Sequence, residues 1–423
     1  MNIFERVESE VRSYCRTFPV VFDRASGPYL YDESGRGYID FFCGAGGLNY
    51  GHNDPPMKRA LIEYLERDGV VHSLDMYTRA KATFLARFDE IILKPRGLSY
   101  RVQFTGPTGT NAIEAALKLA RKVTGRRNIV AFTKAYHGLS LGSLAATANS
   151  SYRNEAFIDR NNVSFVPFDG YFGPGVDTLA QLTRLLEDDC SGIDRPAAVL
   201  VETIQAEGGI NVASVEWLRG LEALCGRLGI LLIVDDIQTG CGRTGTFFSF
   251  EAAGLKPDMI VLSKSISGFG LPMSLLLIRP ALDQWKRAEH TGTFRGNNAA
   301  FVTGAEALRY WQSDAFADGL RRSSRIVQES LADLQRKLPA LGIQFRGRGM
   351  LFGVETASAD INRATAQECF ARGLIVETCG ADRNVLKLMP ALNIPEPVLR
   401  EGLEILGASL QAAAAGALSA ALA

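Results

Sequence analysis

Residues Ile233 to Gly245 read IVDDIQTGCGRTG, and the fold class turns on this stretch. An apolar run that starts at Ile230 ends abruptly on two carboxylates, Asp235 and Asp236. Gly240, Gly242 and Gly245 then turn the chain sharply. A continuous apolar run, rather than an alternating one, marks a strand covered on both faces, as in a parallel sheet with helical layers. In such sheets ligands sit beyond the carboxyl ends of the strands, so a carboxylate at that end faces a binding crevice. Two adjacent aspartates raise the possibility of a metal. No histidine or third carboxylate follows with ligand spacing, so no metal site is expected. The other use of such a carboxylate is to pair with a cationic ring nitrogen of an organic cofactor.

The pattern repeats on either side. Asn128–Phe132, Ala197–Glu202, Ile230–Asp235 and Met259–Ser263 read as buried strands, and Asn111–Val123 and Val215–Leu228 as helices among them. The ends differ. Tyr29–Tyr31 and Tyr38–Phe42 are short strand patterns, and residues beyond 310 carry long amphipathic helices plus Leu351–Val354 and Leu386–Met389. The prediction is α/β: a large, mostly parallel-sheet domain over residues 51–305, and a smaller α+β domain built from residues 1–50 and 306–423. The tail QAAAAGALSAALA reads as a helix end that frays.

Composition narrows the function. The chain has 423 residues, with 46 basic and 46 acidic side chains and no net charge. Without a basic excess, nucleic-acid binding through bulk electrostatics is not expected. The 47% hydrophobic and 22% charged fractions fit an ordinary globular protein of two or three domains. Seven scattered cysteines without a CxxC pair point to a reducing compartment. The charged opening MNIFERVESEV and the lack of a long apolar run predict a cytoplasmic protein without a membrane segment.

Three further stretches carry chemistry. Thr105–Asn111, TGPTGTN, precedes a helical run; free N–H groups and the positive dipole end at a helix start hold a phosphate, although a plain helix cap reads the same way. In LSKSISGFG, Lys264 ends a buried strand among small residues, where desolvation lowers an amine's pKa and makes it a nucleophile. Tyr136-His137-Gly138 follows another strand; the aromatic can stack on a planar ring, and His137 reads as a hydrogen-bonded structural residue. Together these are a phosphate cradle, a stacking face, an acid for a pyridinium nitrogen and an amine for an aldehyde. Pyridoxal phosphate requires those four. A nicotinamide-binding reading fails for want of a GxGxxG after an early strand.

Over nearly its whole length the chain resembles the class III (subgroup II) aminotransferases of pyridoxal phosphate fold type I, the aspartate aminotransferase-like fold. DDIQTGCGRTG is similar to that family's D-E-x-Q-x-G-x-G-R-x-G signature, and HTGTFRGNN at His290–Asn298 to another of its motifs. The resemblance implies that Lys264 bonds the cofactor aldehyde and Asp235 pairs with the pyridine nitrogen. It further implies that Gln238 reaches the ring hydroxyl, Tyr136 stacks on the ring, and the amides of Gly109 and Thr110 hold the phosphate. Thr293 would reach the phosphate of a neighbouring subunit, so the partner implied is a second copy in a homodimer or higher homo-oligomer. Glu202 and Glu207, in ETIQAEGG, match the family's E-P-I-x-x-E-G-G, whose second carboxylate pairs with an arginine that switches between substrates.

Three positions depart from the family pattern. Lys387 stands where the switching arginine falls, Leu139 replaces an arginine three residues after the stacking aromatic, and Asn111 replaces an acidic residue. The strings PTGTNAIEAALKLAR, VDDIQTGCGRTGTFFSFE and EHTGTFRGNNAAFVT look most like the diaminobutyrate–2-oxoglutarate aminotransferases of ectoine biosynthesis. The implied reaction takes an amino group from L-glutamate to L-aspartate 4-semialdehyde. An ornithine, acetylornithine or 4-aminobutyrate aminotransferase is the within-class alternative, and a non-catalytic cofactor-binding regulator the distant one.

Overall fold

The runs IVAF, AVLV, MIVL and LLLI are buried at every position, and they form the middle of one sheet. The computed structural model describes residues 2–154, 156–157 and 162–422. Its main sheet contains β1 (Arg101–Phe104), β2 (Ile129–Phe132), β3 (Val163–Val166), β4 (Ala198–Val201), β5 (Leu231–Asp235), β6 (Met259–Leu262) and β7 (Leu275–Ile278). The spatial order is β1-β7-β6-β5-β4-β2-β3. Only β7 runs antiparallel to its neighbours; the other pairings are parallel. Alternate residues of each strand face opposite sides. Val130, Val199, Leu232, Val234 and Ile260 pack toward helix α2 (Val215–Leu228), while Ile129, Ala198, Ile233 and Val261 pack toward helix α1 (Gly109–Thr124).

Both ends of the chain meet in one small sheet. Gly37–Asp40 pairs in parallel with Leu374–Ile375, Ile39 lying opposite Leu374. A further four-stranded sheet joins Gln344–Arg348, Leu351–Glu355, Val385–Leu388 and Glu377–Cys379 in that order. Ile39, Phe41, Leu331, Val354, Leu386 and Leu406 share the core between these strands and the long helices Asp314–Lys337 and Glu396–Leu422. Among the described residues, no helix is long and apolar enough to cross a membrane.

Some elements differ from expectation. β1, β3 and β7 are not predicted; β1 and β3 are only partly buried, so polar residues interrupt their apolar pattern. The strand predicted over Tyr38–Phe42 stops at Asp40, whose Oδ1 accepts the N–H groups of Phe42 and Cys43, each at 2.8 Å, and turns the chain. Cys43, Gly44, Ala45 and Gly46 then all adopt positive φ, from 50° to 83°. The alanine-rich tail belongs to the helix Glu396–Leu422.

Candidate active site

The carboxyl ends of three central strands converge. β5 ends on Asp235, Glu202 follows β4, and Ser263-Lys264 follow β6. With the first turn of α1 they enclose a cavity of about 290 Å³ lined by Gly109, Thr110, Tyr136, Asp235, Gln238 and Lys264 among others. Six of the seven residues expected to hold the cofactor therefore face one space. Thr293 is the exception: it is exposed and lines neither this cavity nor the larger one beside it.

Asp235 is held at both oxygens. His137 Nδ1 lies 2.7 Å from Oδ2, and the Ile237 N–H donates to Oδ1 at 3.1 Å. The neighbouring Asp236 points elsewhere. Its Oδ1 accepts from the Thr239 hydroxyl at 2.8 Å and its Oδ2 from the Ser249 N–H at 3.0 Å, so it braces the loop and does not line the cavity. Glu202 accepts the Tyr136 N–H at 3.1 Å, and burial, reinforced by the Asp235 charge, holds its carboxyl well above the usual range.

Lys264 adopts φ +52°, a left-handed conformation that costs an L-residue about 1–2 kcal/mol. Surrounding bonds impose it: the Ile266 N–H reaches Ser263 O at 3.2 Å, and the Ser265 hydroxyl donates to Gly46 O at 2.8 Å. Burial pushes the Lys264 amine down to about 8, with Glu207 opposing and Lys387 assisting. A desolvated amine of that kind is a nucleophile near neutral pH.

At the other end of the cavity, Gly109 and Thr110 open α1, and first-turn amides have no acceptor within their own helix. A Cβ on Gly109 would come 2.8 Å from Ile237 Cδ1, so a side chain there would crowd the cradle. Asn111 Oδ1 accepts the N–H of Thr108 at 3.3 Å and its hydroxyl at 2.9 Å. The amide thus caps the helix without adding negative charge where an anion would sit.

Comparison with known proteins agrees with this geometry. The family model "Aminotransferase class-III" matches residues 11–410. The chain belongs to the class III aminotransferases. It is 57% identical over 412 residues to the diaminobutyrate–2-oxoglutarate transaminase of Bordetella parapertussis, covering 97% of this chain and 95% of that one. It is 55% identical over 414 residues to the protein of the same name from Streptomyces avermitilis, covering 97% and 98%. Among solved structures, the ornithine aminotransferase of Toxoplasma gondii superimposes with TM-score 0.83 at 26% identity, covering 97% of this chain and 93% of that one. An S-selective transaminase from an Arthrobacter species superimposes with TM-score 0.86 at 22% identity, covering 98% and 97%. The fold is pyridoxal phosphate fold type I, as the sequence predicts.

Pyridoxal phosphate is the cofactor of this aminotransferase, and the cavity fits it on its own evidence. Gln238 Oε1 is buried without a hydrogen-bond partner, while its Nε2 donates to Ala45 O at 2.7 Å. A ring hydroxyl would supply the missing donor. First-turn amides, a bridged carboxylate, a depressed amine and the Tyr136 ring complete the donor set.

A second cavity of about 550 Å³ adjoins the first and shares Tyr136, Glu207 and Lys264 with it. Tyr14, Lys134, Tyr152, Glu377 and Arg383 line its outer part, and sequence reasoning singles out none of them. Their signal is weak because each is an isolated polar residue in a loop, at a strand end or in a short helical turn. Lys387 is wholly buried. Its Nζ lies 2.5 Å from Glu207 Oε1 and 2.9 Å from Glu377 Oε2. Burial pushes the Glu207 carboxyl up, but the Lys387 and Lys264 ammonium groups outweigh burial and bring it below the usual carboxylate range. Leu139 sits half-exposed at the rim of the inner cavity, an apolar patch where a cation would clamp a carboxylate.

Proposed function

We propose that this aminotransferase carries an amino group from L-glutamate to the terminal aldehyde of L-aspartate 4-semialdehyde. The products are 2-oxoglutarate and L-2,4-diaminobutyrate, and the reaction serves ectoine biosynthesis. The observation that carries the substrate reading is the charge arrangement at the cavity junction. Lys387 is a cation buried behind the cavity wall and held by Glu207 and Glu377, with Lys134 and Arg383 lining the outer cavity. An enzyme that accepts a dicarboxylate in one half-reaction and a diamine in the other needs such a wall. The names carried by relatives at 55–57% identity support the same substrate pair.

When bound, the cofactor supplies an electron-accepting ring that stabilises negative charge at the reacting carbon. Asp235, oriented by His137 and Ile237, keeps the ring nitrogen protonated. Lys264 Nζ is the amine that would hold the cofactor aldehyde, and once free it would serve as the base that moves the proton of the substrate's reacting carbon. Gln238 would meet the ring hydroxyl, Tyr136 would cover the ring face, and the Gly109 and Thr110 amides would anchor the phosphate. Lys387 receives the carboxylate of glutamate as Glu207 yields.

The same reading makes the enzyme a homodimer or higher homo-oligomer with Thr293 reaching the neighbouring site. Exposed apolar side chains support this: Val70, Val71, Leu74, Met76 and Tyr77 lie in one segment, and Phe294 packs against it through His72, ring centroids 5.3 Å apart. Division of the chain at 50/51 and 305/306 and a cytoplasmic location belong to this reading too. The pairing of Ile39 with Leu374 supports the first and seven unpaired cysteines the second.

The test mixes purified holoenzyme with glutamate and each candidate semialdehyde while cofactor absorbance and product are followed. Diaminobutyrate formation is expected. Equal or faster turnover of ornithine, acetylornithine or 4-aminobutyrate would move the assignment to that alternative, and no half-reaction with glutamate would leave a cofactor-binding regulator.

A further inference from the structure

Lys387 lines neither cavity, yet the two carboxylates that grip it line the outer one. The two grips differ in kind. Glu377 stands on the strand Glu377–Cys379, directly opposite Lys387 across an antiparallel pair, so register holds it in place. Cross-strand partners of this sort keep their side chains within contact of one another. The Tyr14 phenol lines the same cavity and acts electrostatically on Glu377. Glu207, by contrast, lies in the turn between the short strands Ile204–Gln205 and Asn211–Val212, followed by Gly208 and Gly209, the latter at φ +112°. Glu207 is the partner that can move.

One ammonium between two carboxylates leaves a negative charge that a single acid partner would not. Glu377 is part of the outer cavity's wall and Lys387 is not; Lys134, Lys264 and Arg383 line the same cavity, and Glu207 and Glu377 are its carboxylates.

We propose that Glu377 is a specificity-determining residue. It keeps Lys387 in place while Glu207 is displaced, and it presents to the outer cavity the carboxylate that selects amino donors bearing a second ammonium group. The proposal deepens the diaminobutyrate reading and rests on it. When the carbon bearing the reacting amine also carries a carboxylate, as in glutamate, that group takes Glu207's place on Lys387, and Glu377 retains the lysine. When the reacting amine sits on a terminal CH2, as in diaminobutyrate, both carboxylates stay and the substrate's second ammonium meets Glu377.

The test uses holoenzyme and three donors: L-2,4-diaminobutyrate, 4-aminobutyrate, which is the same chain without the second amino group, and L-glutamate. Single half-reactions are followed by cofactor absorbance. Wild type is expected to prefer diaminobutyrate over 4-aminobutyrate. Glu377→Gln is expected to cut that preference by about tenfold or more, the usual effect of one charge-assisted hydrogen bond, and to weaken glutamate as Lys387 loses its second anchor, with 4-aminobutyrate affected least. Tyr14→Phe, which leaves Glu377 in place but removes the neighbouring phenol hydroxyl, should shift the preference the same way by less, and it serves if Glu377→Gln fails to fold. Glu377→Asp should restore part of the preference. An unchanged preference in both variants, or an equal loss with all three donors, overturns the role of Glu377 while leaving the diaminobutyrate reading intact. A wild-type enzyme that takes 4-aminobutyrate but not diaminobutyrate overturns both.

Discussion

His137 Nδ1 lies 2.7 Å from Asp235 Oδ2, and both side chains are buried at the floor of the cofactor cavity. The histidine fixes the carboxylate's orientation, and the Ile237 N–H at 3.1 Å fixes its other oxygen. Asp235→Asn is expected to slow transamination by about 10²–10³ or more, the range for losing one preorganised electrostatic group. His137→Phe should cost less, about tenfold to a hundredfold, as is usual when an orienting outer partner is lost. Stopped-flow measurement of the glutamate half-reaction checks both. Equal losses in the two variants would mean that His137 does more than orient Asp235.

Lys264→Ala should abolish turnover while cofactor remains bound without a covalent link. The first-turn amides of α1, Asp235 and Tyr136 supply binding that does not depend on the amine. Absorbance after gel filtration, alongside a turnover assay, distinguishes lost chemistry from lost binding. Near-normal turnover would remove Lys264 from its role.

The Lys264 amine, pushed down to about 8 from an ordinary 10.5 by burial, sets a pH dependence. A lowered pKa means the proton leaves earlier as pH rises, so the neutral, reactive amine becomes the main form above about pH 8. Reconstitution of apoenzyme with pyridoxal phosphate should therefore speed up about tenfold per pH unit below 8 and level off above it. An unburied lysine would keep accelerating toward 10.5. Reconstitution rates between pH 6 and 10 tell the two apart.

Lys387→Ala removes a buried cation from between Glu207 and Glu377. Two uncompensated carboxylates would remain, and breaking a buried pair in this way costs about 3–5 kcal/mol. The melting temperature should fall, and half-saturation by glutamate should rise about tenfold or more, further than that by diaminobutyrate. Separate half-reactions and thermal unfolding measure these effects. Equal changes for the two donors would leave Lys387 a purely structural residue.

Arg243, quoted only as part of the glycine-rich signature, is fully buried and ties that loop to both ends of the chain. Its Nη2 donates to Asn49 Oδ1 at 2.6 Å, and its Nη1 donates to Met350 O at 3.0 Å and Pro390 O at 2.5 Å. Lysine lacks the planar fork, so Arg243→Lys should cost about 1–3 kcal/mol for each acceptor left unsatisfied. A lower unfolding midpoint with an unchanged cofactor spectrum in the folded fraction is the expected result.

The parts of the site that were legible in the sequence are those built by neighbours in the chain. An apolar run ending on Asp235, a lysine directly after β6 and glycines opening α1 each announce a strand end or helix start, because one strand or one helix turn fixes where those residues point. The family signature extends that local information to Gln238 and Tyr136. The family pattern also implies the pairing of Lys387 with Glu207, 180 residues apart. Tertiary structure alone decided the rest: His137 and Asp235 are 98 residues apart, and no local pattern pairs them. Strand periodicity assigns Lys387 to a face of its strand, but only the pairing of Glu377 with Lys387 and the burial around them determine whether that face meets carboxylates or water. A charge's surroundings depend on packing from every side, and packing is a property of the folded chain as a whole.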